Sequence, residues 1–338
     1  MGIYSWIRRI LFLLDAEVSH NLSLFVLKWL NHFGLLRLFV RTPKTKPVQV
    51  MGLNFPNPVG LAAGLDKNGD YIKALANLGF GFIEIGTVTP RPQPGNPKPR
   101  MFRLPQARAI INRMGFNNKG VAHLLKQVKK AGHKGIVGIN IGKNFDTPME
   151  KAIDDYLYGL QQVYAYADYI SVNISSPNTA NLRQLQQGEE FSQLLKGLAE
   201  ERAALQLQYQ RYVPIAVKIA PDLDEEQVKE IAQAIKQSKL DAVIATNTTI
   251  TRDQVSGLPH ANEAGGLSGE PVREMSTKVI RVLQENLDGI PVIGVGGIFS
   301  ASDAEDKFRA GASLVQLYSG FIYRGPALIK EIVDQHQV

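Results

Sequence analysis

From residue 48 onward the chain repeats one rhythm eight times: a short β-rich apolar run, a polar turn, then a helical pattern. The runs are PVGLAA (58–63), GFIEIG (81–86), GIVGINI (135–141), DYISVNI (168–174), PIAVKIA (214–220), DAVIATN (241–247), PVIGVGG (291–297) and SLVQLYS (313–319). Amphipathic segments such as 224–239 and 273–287 fall between them. Strands alternating with helices imply parallel pairing. Eight such units closing on themselves make a (β/α)8 TIM barrel of ordinary length. A doubly wound open sheet is the alternative, but no G-x-G-x-x-G turn follows the first run. The expected division is an N-terminal helical segment with linker over 1–47 and a barrel over 48–338.

The 338 residues include no cysteine, which excludes disulfides, thiolate metal sites and any cysteine nucleophile or base. Formal charge is +7, and residues 1–50 hold seven basic residues against two acidic ones. The basicity therefore belongs to the N-terminal segment. No basic stripe with interleaved aromatics follows, so nucleic-acid binding is not expected.

Residues 3–40 are dense in apolar side chains, yet charges and amides interrupt them every few positions. The longest unbroken apolar run, Ile10 to Leu14, falls far short of the ~20 residues that span a bilayer. Asp15 cuts that run short and no A-x-A-like site follows, so neither a signal peptide nor a twin-arginine leader fits Arg8-Arg9. The pattern predicts amphipathic helices over 3–14 and 20–32, a short piece over 35–40, and a linker over 41–47. Tryptophan, phenylalanine and leucine beside arginine and lysine suit a helix lying in a membrane interface. An ordinary helical cap packed on the main domain is the bland alternative.

In such barrels the active site lies at the C-terminal ends of the strands. Here those ends carry Gly64-Leu65-Asp66-Lys67-Asn68, Thr87, Asn140 with Lys143-Asn144, Asn173 with Ser176 and Asn178, Lys218, Thr246-Asn247-Thr248, Gly296-Gly297, and Tyr318-Ser319-Gly320. No paired carboxylates appear among them, and the six histidines are scattered, so no metal site is expected. Amides donate and accept together, matching an imide or pyrimidine edge. A lysine supplies a point charge for a carboxylate. With so few groups able to do redox or acid work, a bound cofactor is expected to carry the hard step. The glycine-bearing turns after the last two strands, with GGLSGEP (265–271), suit its phosphate.

The segment 89–118 is long for a βα loop, and loops of that length are usually functional. Prolines stiffen its first half. MFRLP and AIINRM predict a hairpin around Gln106-Ala107, with Asn112-Arg113-Met114-Gly115-Phe116-Asn117 at its end adding another amide to the pocket.

At this point a resemblance can be stated. AAGLDKNG, EIGTVTP, NRMGFNN, VNISSPN, VKIAPDL, ATNTT, GGLSG, GVGGI and LYSGFIYRGP make the chain, over its full length, similar to the class 2, membrane-associated, quinone-linked dihydroorotate dehydrogenases. The resemblance implies FMN at the barrel mouth. The residues expected to touch it are Ala63, Gly64, Leu65, Asp66, Lys67, Thr87, Asn140, Asn173, Lys218, Thr246, Gly269, Gly297, Tyr318 and Ser319. It implies dihydroorotate, the precursor of orotate, held by Lys67, Asn112, Arg113, Met114, Gly115, Phe116, Asn173, Asn178, Asn247 and Thr248. Ser176 matches the catalytic base that takes a proton from substrate C5 while C6 passes a hydride to the flavin. A water or threonine relay would carry that proton onward, whereas Ser175 reads as a turn or capping hydroxyl.

The soluble classes use a cysteine base and lack extra N-terminal helices, so both features point to class 2. Residues 1–40 would then form a lid lining a path for a membrane quinone, ubiquinone or menaquinone, with His20, Arg103 and Tyr318 as candidate lining groups. A monomer is expected, peripheral on the cytoplasmic face of a bacterial inner membrane, because no transit peptide precedes Ile3. Other readings are a different FMN barrel acting on pyrimidines, and a non-catalytic phosphate-binding barrel tethered to membranes.

Overall fold

The computed structural model describes residues 3–40, 43, 46–179 and 181–336. Eight parallel strands close a barrel: β1 (Val59–Leu61), β2 (Phe82–Val88), β3 (Ile136–Ile141), β4 (Tyr169–Asn173), β5 (Ile215–Ile219), β6 (Ala242–Ala245), β7 (Val292–Val295) and β8 (Ala312–Leu317). β8 pairs with β1 through Gln316 and Gly60, which completes the circle. All eight expected strands are present. The strands are buried almost throughout because helices cover the outside and side chains fill the inside, so they read as apolar runs rather than alternating ones.

The interior is packed by matching small residues to large ones. A Cβ on Gly60 would lie 2.3 Å from the Phe82 ring, and one on Gly138 would lie 2.2 Å from the Tyr169 ring. A hairpin of Val48–Val50 and Leu53–Phe55 closes the N-terminal end, with Phe55 edge-on to Phe82 at 5.1 Å. That leaves the C-terminal end open for chemistry.

Over that open end lies a three-stranded antiparallel sheet. The expected hairpin is there, as Met101–Leu104 and Ala109–Asn112 around a turn at Pro105–Ala107. Its third strand, Gly266–Gly269, pairs with Ala109–Asn112 and was not legible as a strand, since a glycine-bearing tetrapeptide has little β signal of its own.

The N-terminal helices are α1 (Ile3–Leu11) and α2 (Ala16–His32), followed by a 3-10 turn at Leu35–Leu38. α2 starts four residues earlier than its apolar pattern suggested, because the Asp15 carboxylate accepts from the amides of Glu17 (2.9 Å) and Val18 (3.0 Å) and caps it. Within the expected linker, Arg41, Thr42, Lys44 and Thr45 lie outside the described residues. The helices pack on the hairpin and on the helix Ser319–Arg324. Phe12 meets Tyr323 edge-on at 5.3 Å, Arg8 donates to the Tyr323 carbonyl, and Arg103 donates to the carbonyls of Leu11 and Leu14. Their other faces expose large apolar groups, among them Leu13 (86 % exposed), Leu38 (76 %), Phe33, Trp6 and Trp29. No helix among the described residues is long and apolar enough to cross a membrane.

Candidate active site

The loops after the barrel strands, the three-stranded sheet and the turns of β7 and β8 enclose a cavity of about 1060 Å3, open mouth included. Its wall brings together Ala63, Gly64, Lys67, Thr87, Asn112, Met114, Gly115, Phe116, Asn173, Ser176, Asn178, Lys218, Thr246, Asn247, Thr248, Gly269, Gly297, Tyr318 and Ser319. Four expected residues lie elsewhere. Leu65 is core. Asp66 accepts from the amides of Asp70 (3.0 Å) and Tyr71 (2.8 Å), which organises the turn after β1, and burial raises its pKa to about 6. Asn140 is sealed behind the wall, accepting from Thr87 Oγ1 at 2.6 Å. Arg113 turns away to Glu263 (2.7 Å) and lies over the Phe102 ring.

Two serines follow β4, and the fold treats them differently. Ser175 is fully buried, its hydroxyl donating to Asn173 Oδ1 (3.2 Å) and accepting from Asn247 Nδ2 (3.0 Å). Ser176 faces the cavity, and its Oγ accepts from the Asn178 amide at 3.2 Å. The amides around them interlock: Asn173 Nδ2 donates to Thr87 Oγ1 (3.0 Å), Asn247 Oδ1 accepts from the Thr248 amide (2.8 Å), and Asn178 Nδ2 donates to the Asn112 carbonyl (3.1 Å). Such mutual bonding fixes side-chain orientation before any ligand arrives.

Beneath the wall lies a charge that sequence reasoning missed. Glu84 is fully buried inside the barrel on β2 and accepts from Asn140 Nδ2 (2.8 Å), the Tyr169 hydroxyl (2.8 Å) and Gln316 Nε2 (2.7 Å). Burial lowers the pKa of Lys218, and the Glu84 carboxylate offsets part of that effect. A carboxylate in the middle of an apolar strand was the available signal. Arg183 was also missed, and no strand-end pattern marks it. It holds the Ser175 carbonyl (3.1 Å), the Thr248 carbonyl (2.7 Å) and Asp222 (2.7 Å), so one guanidinium joins the β4 and β6 loops.

Lys67 sits where α2 approaches the cavity. Burial lowers its pKa to about 8, against the opposing pull of Glu17. His20, on the same helix as Glu17, is pushed down to about 3 by burial and by the Lys67 charge, so it is neutral at ordinary pH. Burial raises the Tyr318 hydroxyl to about 12.

At the turn after β7, Gly297 has φ +72°, and a Cβ there would lie 2.3 Å from Arg273 Cβ, so this turn abuts the start of the helix Arg273–Asn286.

Comparison with known proteins decides the family. The family model described as dihydroorotate dehydrogenase matches residues 46–337. The chain belongs to the dihydroorotate dehydrogenase family. A dihydroorotate dehydrogenase (quinone) of Methylobacillus flagellatus is 63 % identical over 331 residues, 98 % of this chain and 98 % of the relative. The Thiobacillus denitrificans protein of that name is 62 % identical over 334 residues, covering 98 % and 99 %. One from Pseudomonas aeruginosa is 60 % identical over 333 residues, covering 98 % and 97 %. Among solved structures, the Eimeria tenella dihydroorotate dehydrogenase in complex with ferulenol superposes with a TM-score of 0.87 at 37 % identity, covering 95 % of this chain and 90 % of that one. The fold and family are thus those expected, and this dihydroorotate dehydrogenase is of the quinone-dependent kind, an oxidoreductase of pyrimidine biosynthesis that works with a flavin.

Proposed function

We propose that the flavin is FMN, that it and dihydroorotate occupy the barrel-mouth cavity together, and that electrons leave to a membrane quinone beneath the N-terminal helices. The fit of a flavin rests on what the wall leaves unpaired. Thr248 Oγ1 and Gln316 Oε1, both on wall residues, have no hydrogen-bond partner among the described residues. Buried polar groups are ordinarily paired, so unsatisfied ones in a cavity mark a ligand with complementary edges. The Lys218 ammonium also forms no protein hydrogen bond among the described residues, leaving it for an electron-rich ring edge. Residues Gly297, Tyr318, Ser319 and Gly269 would hold the phosphate through backbone amides.

When bound, the flavin supplies the hydride acceptor for substrate C6. The chain supplies the rest. Ser176 Oγ takes the C5 proton, and a hydroxyl does this only if the proton passes onward to solvent or a neighbouring hydroxyl. Asn112, Asn173, Asn178 and Asn247 orient the pyrimidine edge, and Lys67 holds the carboxylate. Lys218 steadies negative charge on the cofactor as it is reduced.

The single observation that carries the assignment of the base is the division of labour between the serines: Ser175 is consumed by Asn173 and Asn247, while Ser176 faces the cavity. The division into a 1–47 segment and a 48–338 barrel, monomeric state and peripheral attachment to the cytoplasmic face of a bacterial membrane belong to the same proposal. The exposed apolar groups on α1 and α2, beside Arg8, Arg9 and Lys28, support the attachment.

The deciding experiment is direct. Purified protein should be yellow, release FMN rather than FAD on denaturation, and bleach anaerobically with dihydroorotate. Colourless protein, or yellow protein that dihydroorotate fails to bleach, would sink the assignment and favour a non-catalytic phosphate-binding barrel or another pyrimidine substrate.

A further inference from the structure

The first turn of α2 does more than pack. Glu17 and Arg100 are both buried, and the Arg100 guanidinium grips the Glu17 carboxylate through Nε (3.1 Å) and Nη2 (2.7 Å). Burial works against the Glu17 charge, but the hydrogen bond and charge of Arg100, with Lys98, outweigh it and hold the carboxyl pKa below its usual value. The third arm of the guanidinium, Nη1, donates to the carbonyls of Pro94 (2.8 Å) and Asn96 (2.9 Å). Asn96 continues the path: its amide donates to the Met114 carbonyl (3.1 Å) and its Nδ2 to the Arg113 carbonyl (2.9 Å). Met114 and Gly115 are cavity wall.

Gly115 shows how tight this join is. Its φ is +68°, and a Cβ there would lie 2.9 Å from the Asn96 backbone and side chain. The strap of residues 94–96 therefore packs directly on the wall segment, leaving no room for a side chain at Gly115. An ion pair buried this well is costly to break on one side, because the surviving charge loses its partner without regaining water.

We infer that Glu17 is a positioning residue for the substrate pocket, coupling the N-terminal helices to the Asn112–Phe116 wall through Arg100 and Asn96. The inference rests on the proposed placing of dihydroorotate against that wall. Coupling of this kind is reciprocal: what loosens α2 weakens substrate binding, and what fills the pocket steadies α2. The N-terminal segment thus reports to the substrate side whether it is docked.

The test uses full-length holoenzyme and orotate as the probe, read by perturbation of the flavin absorbance. E17Q should raise the orotate Kd at least about fivefold, the lower end of typical coupling. Its limiting rate of anaerobic flavin reduction should change less than about twofold, a split that general destabilisation does not produce. E17D, which keeps the charge, should recover part of the affinity. Independently of any variant, saturating orotate should slow amide hydrogen exchange across residues 16–32 of the wild-type protein. Unchanged orotate affinity in E17Q, or unchanged exchange in α2, would overturn the coupling. A wild-type protein that binds no orotate would overturn the substrate assignment instead, so the two failures are distinguishable.

Discussion

The backbone amide of Asn178 donates to Ser176 Oγ at 3.2 Å, so the residue proposed as the base is aimed by the amide residue two positions later. Pro177 between them pre-sets the turn. Among the described residues the hydroxyl donates to no protein group, so its own proton can be passed on, as a relay from C5 requires. Ser176→Ala should therefore lower the limiting rate of flavin reduction by about 10²–10⁴-fold while orotate affinity stays within about threefold. In the wild type that rate should rise with pH, because removal of the serine proton is favoured. A flat rate between neutral and alkaline pH, in anaerobic stopped flow, would remove the serine from this role.

Substrate affinity should move the opposite way with pH. Burial brings the Lys67 ammonium down to about 8. Below that value the lysine is charged and can hold a carboxylate; above it the charge is lost. Orotate Kd should be level below pH ~8 and weaken toward tenfold per unit above it, until the complex, whose anion raises the lysine pKa, also deprotonates. Lys67→Met should abolish the dependence, as measured by absorbance titration across pH.

Asn178 joins the β4 loop to the hairpin by donating to the Asn112 carbonyl. Removing it deletes a proposed substrate contact and unties that wall. Asn178→Ala should weaken orotate binding by about 1–3 kcal/mol, roughly five- to 150-fold. Titration showing no loss would place the substrate away from this loop.

Glu84 offers a test of stability. A leucine there would take an acceptor from all three donors and leave Lys218 without its nearby carboxylate. Glu84→Leu should cost about 3–5 kcal/mol in chemical denaturation at fixed cofactor concentration. Glu84→Gln keeps the shape and part of the hydrogen bonding, and should cost less.

Removing residues 1–40 should abolish quinone reduction. Flavin reduction at saturating dihydroorotate should persist, although at weaker affinity once the Glu17–Arg100 join is gone. Retention of quinone reduction at the wild-type rate would refute the proposed role of the helices, and steady-state assays with a soluble quinone would show it.

Much of the fold was legible in order along the chain. Period, length and flanking turns depend on neighbours within a few residues, which is why all eight strands and the 101–112 hairpin could be read from sequence. The strand-end amides were legible for the same reason: a barrel places its chemistry at one end, so position along a strand already encodes position in the site. The absence of cysteine excluded a cysteine base without any coordinates.

What tertiary structure decided is every relation between groups far apart in the chain. The motif match set Ser176 apart from Ser175, but the partner that occupies the Ser175 hydroxyl, Asn247, lies seventy-two residues away and is supplied only by folding. Arg113 sits inside a motif of pocket residues yet turns out to Glu263, one hundred and fifty residues along the chain. Gly266–Gly269 is a strand only because Ala109–Asn112 offers it an edge. Glu17 has the look of an ordinary first-turn acid at a helix start, and only folding brings Arg100 to it across eighty-three residues. Sequence by itself determined the eight barrel strands, their order and the end of the barrel that carries the chemistry, because those follow from local periodicity. Which side chains face the ligand and which are spent on holding others was decided by long-range packing, where burial demands that each polar group find a partner.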